Sequence, residues 1–266
     1  MIYLIDIGNS RTKYVHCEND KLSAITQLSN DDFSMDYFVE SFSQATQIIV
    51  ANVASANLTK TLKAWCDTQG ISYSQVHSEQ QKNNLKSAYQ EPTKLGIDRW
   101  LALVAASQLY PQKNVLIIDA GTATTIDFLE KSGQHQGGWI LAGIDTLRTS
   151  LLSNSTLVTA EEYASADISF GKNTSDNVHN ACWSATLGMI QQGINQVIIQ
   201  AKLDVIILTG GNGLALTELL LTDKQQLTQS QNEDDYGNAI NNKNALANEI
   251  YFIDNFIFYG LQAYCK

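Results

Sequence analysis

Arginine is nearly missing from this sequence of 266 residues, standing only at Arg11, Arg99 and Arg148. With a formal net charge of −10, that shortage argues against a nucleic-acid partner, because phosphate backbones are held by clustered Lys and Arg. No basic recognition helix is visible either. Long apolar runs are lacking too. None approaches the ~20 residues that a bilayer span requires, and Asp6 interrupts Ile2 to Ile5 where a secretory signal would stay apolar. The expectation is a cytoplasmic chain with no membrane partner. Cysteine is sparse: Cys17, Cys66, Cys182 and Cys265 lie far apart and form no C-x-x-C pair. Neither a zinc site nor a disulfide framework is indicated, and the four are read as free thiols. His16, His77, His135 and His179 share no spacing and are read as structural or solvated.

What is present is an ordinary globular composition, 44% hydrophobic and 17% charged, long enough for one large domain or two modest ones. The opening "IYLIDIGNSRTKYVH" can be laid on "VLIIDAGTATTIDFL", so that Asp6 falls on Asp119 and Gly8 on Gly121. Each copy reads as a buried strand reaching Asp-x-Gly, a turn of small polar residues, and a second strand of alternating character. A third strand is expected after each hairpin, around Ala24 to Leu28 and Gly138 to Leu141. Further along, "TQIIVANV" and "DVIILTGG" read as strands. Helices are expected over Leu58 to Asp67, with Leu58, Leu62 and Trp65 on one face, and over Asp98 to Tyr110. A longer one is expected over Asp176 to Ala201, where Trp183, Leu187, Ile190, Ile194, Val197 and Ile198 form a continuous stripe. Ala181, Ala185 and Gly188 on that helix suit either close packing against another helix or the core. The polar stretch Asp223 to Glu249 reads as a surface loop or partly disordered insertion, or else as a mobile lid or partner-contacting segment, and "IYFIDNFIFYGLQAY" as a last strand and docking helix.

Strands interleaved with helices in two related halves imply an α/β protein with a cleft between them, divided into residues 1–112 and 113–266. An Asp at a strand end before a Gly-containing turn suits a nucleotide. The turn amides can face phosphate oxygens, and the carboxylate can hold a cation directly or through water. A single such hairpin is more often an ordinary turn. Two in register, followed by Gly210-Gly211-Asn212-Gly213 after another strand, make a stronger pattern.

Paired Asp-Gly hairpins with a late Gly-Gly resemble the acetate and sugar kinase/Hsp70/actin superfamily. That resemblance implies duplicated ribonuclease H-like halves, as in actin-like ATPases, with mixed sheets flanked by helices and a nucleotide cleft. Within the superfamily, "DIGNSRTK", "LGIDRW", "DAGTATTID", "GGWILAG", "FGKNT" and "TGGNG", in this order, look like type III pantothenate kinase. The resemblance implies ATP-dependent phosphorylation of pantothenate, the first step towards coenzyme A. It implies that Asp6, Ile7, Gly8, Asn9, Ser10, Arg11, Thr12 and Lys13 form the first phosphate loop, with Asp6 contacting the magnesium of Mg-ATP. Thr122 would sit by the phosphates, and Asp119 would help bind a monovalent cation, potassium or ammonium. Gly96, Ile97, Asp98 and Arg99 match the pantothenate-binding segment, with Asp98 as general base, and Tyr89 resembles a substrate-contacting tyrosine. Thr174 matches a residue that completes the partner subunit's pocket, which implies a homodimer. The chain departs from the family at Ala142, where proline is frequent, and in the length of its 223–249 stretch.

The residues suit that chemistry independently. Adjacent Asp98 and Arg99 offer a proton acceptor for a primary hydroxyl and a fork for a carboxylate. Because phosphoryl transfer has a loose transition state, an ionised aspartate need only orient the hydroxyl and take its proton late. Charge neutralisation would fall to the cations, the turn amides and Lys13. Local sequence also leaves simpler roles open: a helix cap for Asp98, a surface ion pair for Arg99, a core or interface aromatic for Tyr89, a turn or cap for Thr174, and a strand-surface position for Lys13. Arg148 is left without a role. The rival readings are a kinase for another small alcohol on the same fold and a nucleotide-binding transcriptional accessory protein.

Overall fold

A strand that is apolar at every position has to be covered on both faces, and this requirement organises each half of the chain. The computed structural model describes residues 1–54, 56–153, 165–229 and 249–265. In chain order its first elements are β1 (Ile2–Ile7), β2 (Arg11–Glu18), β3 (Lys21–Leu22), β4 (Thr26–Ser29), α1 (Met35–Ser41), β5 (Gln47–Asn52), α2 (Ala56–Gln69), β6 (Ser72–Gln75), β7 (Gln81–Lys82), β8 (Leu85–Lys86) and α3 (Ile97–Leu109). There follow β9 (Val115–Ala120), β10 (Ala123–Leu129), β11 (His135–Ala142), α4 (Ile144–Ser153), α5 (Thr174–Gln200), β12 (Val205–Thr209), α6 (Gly213–Gln229), β13 (Glu249–Phe252) and α7 (Ile257–Gln262). Two compact units result, Met1–Leu109 with Phe256–Lys266, and Tyr110–Asn255. The sequence reading places all of 113–266 in the second half; the closing residues pack with the first unit instead.

The repeat is visible in the sheets. The first runs β3-β2-β1-β5-β6, with β4 also on β2, and the second runs β11-β10-β9-β12-β13. In each, the Asp-x-Gly hairpin is antiparallel and takes a third antiparallel strand on one side. Two parallel strands lie on the other side. This is the duplicated α/β arrangement with mixed sheets flanked by helices that the sequence led us to expect.

In the first unit, alternation along β1 sends Tyr3, Ile5 and Ile7 to one face, where Phe38 of α1 and Leu62 and Trp65 of α2 cover them. Leu4 goes to the other, against Leu101 of α3 and Ile257, Phe258 and Leu261 of α7. Gly260 makes the α3–α7 approach possible, since a Cβ there would collide with the Leu101 backbone. Trp100 Nε1 donates to Tyr264 Oη at 2.9 Å, and that hydroxyl donates to Glu79 Oε1 at 2.7 Å. Burial and the Glu79 carboxylate raise the Tyr264 pKa, which keeps the phenol protonated for this bond.

In the second unit the stripe of α5 is buried as expected: Trp183, Leu187, Ile190, Ile194 and Val197 pack on Leu116, Ile118 and Ala120 of β9. Ala181, Ala185 and Gly188 are exposed, so core packing does not account for them. The expected loop beginning at Asp223 is helical at first, because α6 continues to Gln229. Its Lys, Gln and Leu are good helix formers, so polarity alone does not end the helix. The remainder of that reading, 230–248, lies outside the described residues. All four cysteines are free thiols.

Candidate functional site

Four chain segments carry the residues singled out in the sequence. The first is the β1–β2 hairpin. Asp6 is half-buried near the end of β1, on the face that Leu4 presents to α3, and it stands opposite Lys13 in the antiparallel register. The turn closes with Gly8 N–H donating to Arg11 O at 3.0 Å. Asn9, Ser10 and Arg11 at its tip are exposed, while Thr12 is buried. Sequence reasoning misses the residue that holds this turn, Asn30, just beyond β4. Its Nδ2 donates to Gly8 O at 2.8 Å and to Asn9 O at 3.1 Å, its backbone N–H donates to Ser10 O at 3.2 Å, and its Oδ1 accepts from Thr12 Oγ1 at 2.8 Å.

The second segment is the start of α3. Trp100 N–H donates to Gly96 O at 2.9 Å and opens the helix. Asp98 lies within its first turn, half-buried, with Oδ1 accepting the Arg99 N–H at 2.8 Å. The carboxylate satisfies a first-turn amide that has no intrahelical acceptor, from a position inside the helix rather than at its cap. Gly96 leaves room for it, because a Cβ there would lie 2.5 Å from Asp98 Oδ1. Arg99 is not a surface residue. It is only 5% exposed, and its Nη1 donates to the half-buried Tyr89 hydroxyl at 2.9 Å. The structure thus brings Tyr89, Gly96, Ile97, Asp98 and Arg99 together.

Gly96 and Ile97 also border a concavity of about 280 Å³, lined further by Asn52, Val53, His77 and Ser78. Asn52 closes β5 and stands in register with Ile7 of β1. The start of α3 is therefore placed beside the carboxyl ends of the parallel strands, where α/β sheets hold their ligands. The sequence reading leaves His77 structural or solvated, and nothing in its spacing signals a place in this wall.

The third segment is the β9–β10 hairpin of the second unit. Asp119 is half-buried in register with Thr209 of β12. Gly210 follows at φ +84, and a Cβ on it would strike Asp119 Oδ1 and the Ala120 backbone. Thr122 is exposed, and its carbonyl accepts Gly143 N–H at 2.9 Å and Thr146 Oγ1 at 3.0 Å. Asn212 N–H donates to Ala120 O at 3.0 Å, which ties the late Gly-Gly segment to the same turn.

Thr174 is the exposed first residue of α5. It is not the cap: Asn173 is, with its side chain accepting the Asp176 N–H at 2.9 Å. Phe170 nearby is fully exposed. Among the described residues no three His, Cys, Asp or Glu side chains cluster as a metal site.

A family model described as type III pantothenate kinase matches residues 2–196. A relative from Colwellia psychrerythraea, described as a type III pantothenate kinase, is 59% identical over 265 residues, covering 99% of this chain and 100% of its own. Another so described, from Pseudoalteromonas translucida, is 35% identical over 218 residues, 82% of this chain and 88% of its own. Among solved structures, the activator of the 2-hydroxyisocaproyl-CoA dehydratase from Clostridium difficile with bound ADPNP resembles this chain with a TM-score of 0.51 at 10% identity. It covers 98% of this chain and 91% of its own, and at that identity the likeness is one of fold.

Proposed function

The chain belongs to the type III pantothenate kinase family, and from that premise we propose which of its residues serve the reaction. The activity is ATP-dependent phosphorylation of pantothenate to 4′-phosphopantothenate, the first step of coenzyme A biosynthesis. We assign Asp98 as the group that orients the pantothenate hydroxyl and takes its proton, with its carboxylate held by the Arg99 N–H. Arg99 would pair with the pantothenate carboxylate, its guanidinium fixed by the Tyr89 hydroxyl. Gly96 and Ile97 would form the wall beside them. The observation that carries the assignment is the concavity at the carboxyl ends of β5 and β6, walled in part by Gly96 and Ile97, the two residues that lead directly into Asp98 and Arg99.

For the nucleotide, the Asp6–Lys13 hairpin and Thr122 would meet the phosphates, and Asp6 would contact the Mg²⁺ that neutralises their charge. Asp6, half-buried near the end of β1, offers a hard carboxylate oxygen of the kind Mg²⁺ takes beside phosphate oxygens. Asp119 would hold a monovalent cation, potassium or ammonium, supported by the hard oxygen donors of Asp119 and the neighbouring Thr209. A homodimer in which Thr174 closes the partner's pocket is favoured by two features: the fully exposed Phe170 and the exposed Ala181, Ala185 and Gly188 of α5. No helix among the described residues is long and apolar enough to cross a membrane, and we keep a cytoplasmic address in this reading.

A coupled ADP-release assay with Mg-ATP, with and without pantothenate, tests the assignment. Asp98→Asn retains the volume and the bond to the Arg99 N–H but removes the proton acceptor. Its kcat should fall ~10²–10⁴-fold with little change in KM for pantothenate. Near-full turnover would remove Asp98 from the role of base.

A further inference from the structure

Three consecutive carbonyls of the β1–β2 turn converge on one residue. Gly8 O and Asn9 O accept from Asn30 Nδ2, and Ser10 O accepts from the Asn30 backbone N–H. In a planar trans peptide the C=O and the N–H of the next residue point in opposite directions. Fixing these carbonyls on Asn30 therefore turns the N–H groups of Asn9, Ser10 and Arg11 away from it. All three of those residues are exposed. A carbonyl facing outward would repel an anion, whereas successive outward amides form an anion-binding nest.

We infer that Asn30 is the positioning residue of the first phosphate loop: by capturing the turn's carbonyls it presents the amides of Asn9, Ser10 and Arg11 to nucleotide phosphates. Asn30 suits the task because one side chain supplies two N–H donors for carbonyls and an acceptor. The acceptor, Oδ1, is held by the buried Thr12 hydroxyl at 2.8 Å, which fixes which end of the amide faces the turn. The nest is thereby set before any nucleotide arrives, so ordering it on binding costs less. This inference rests on the reading of residues 6–13 as the phosphate loop.

The test substitutes Asn30→Asp, which keeps size and the acceptor for Thr12 but removes both donors and sets a negative charge against two carbonyls. Asn30→Ser removes the amide without adding charge and serves if the aspartate variant does not fold. Steady-state kinetics are measured separately against ATP and pantothenate, and Mg-ATP affinity is titrated calorimetrically without pantothenate. KM for ATP and the Mg-ATP dissociation constant should rise about ten-fold, with KM for pantothenate within about two-fold. A merely structural asparagine would lower the unfolding temperature and the active fraction without separating the two substrates. Unchanged ATP affinity, or equal losses for ATP and pantothenate, overturns the inference. If the native chain binds Mg-ATP but does not phosphorylate pantothenate, the functional reading fails, while the titration of the variant still decides the role of Asn30.

Discussion

The two Asp-x-Gly hairpins have matching sequences and matching places in their sheets, yet each turn is held by different means. In the first, a side chain from beyond the third strand takes up the turn's carbonyls, and Gly8 is tightly placed, since a Cβ on it would lie 3.0 Å from Arg11 O. In the second, no single side chain takes up several of the turn's carbonyls among the bonds described. Backbone amides of Gly143 and Asn212 and the Thr146 hydroxyl hold Thr122 O and Ala120 O instead. The steric demand has moved as well. At Gly121, the counterpart of Gly8, the nearest atoms to a Cβ would be at 3.8 and 3.9 Å, whereas one on Gly143 would overlap Gly121 O and Thr122 O. A duplicated strand–turn–strand thus preserves the backbone path while each copy recruits its own support, so the glycine that aligns is not the glycine that is required.

The largest contrast is expected between Gly143→Ala and Gly121→Ala. The first should cost about 3 kcal/mol or more, because the added methyl meets backbone that has no room to shift. The second should stay within about 0.5 kcal/mol. Thermal unfolding measures both, and equal costs would mean that the second turn is supported as the first is. The aligned aspartates should also separate by chemistry. Asp119→Asn should lose about ten-fold of the potassium-stimulated turnover, whereas Asp6→Asn should raise the Mg-ATP requirement and keep the potassium response. Turnover in potassium and in a potassium-free buffer of equal ionic strength checks this. A loss smaller than that of Gly143→Ala is expected for Thr146→Val, which removes one hydrogen bond to Thr122 O and should destabilise by about 1 kcal/mol in chemical denaturation. No change would assign the hold on Thr122 to Gly143 alone.

Much of the fold is legible because it is written in short periods. The helix over α5 follows from its apolar stripe, and the hairpins from alternation ending in Asp-x-Gly. The short helix α1 escapes such a reading because only Phe38 is buried along it, too little to generate a period. The helical start of the 223–229 stretch escapes it because polarity there resembles a loop signal. At the site, the residue types and their order are readable, including adjacent Asp98 and Arg99. Their environments are not. Arg99 could be a surface ion pair by local sequence, and only packing shows it buried on Tyr89. Asn30 carries no signal, since one asparagine after a strand is a common turn residue.

Residue order alone establishes the repeat, the placement of an aspartate at each hairpin strand end and the membership of the chain in a kinase family. These depend on patterns over a few positions, where backbone geometry sets which side chains share a face. Only packing settles that Asn30 clamps a turn some twenty residues earlier in the chain, that Gly143 rather than Gly121 bears the close approach, and that Tyr264 braces Trp100 on the helix carrying Asp98. Such contacts arise from strand register and helix docking, which bring distant residues within hydrogen-bond reach by burying apolar faces elsewhere. No local pattern records them.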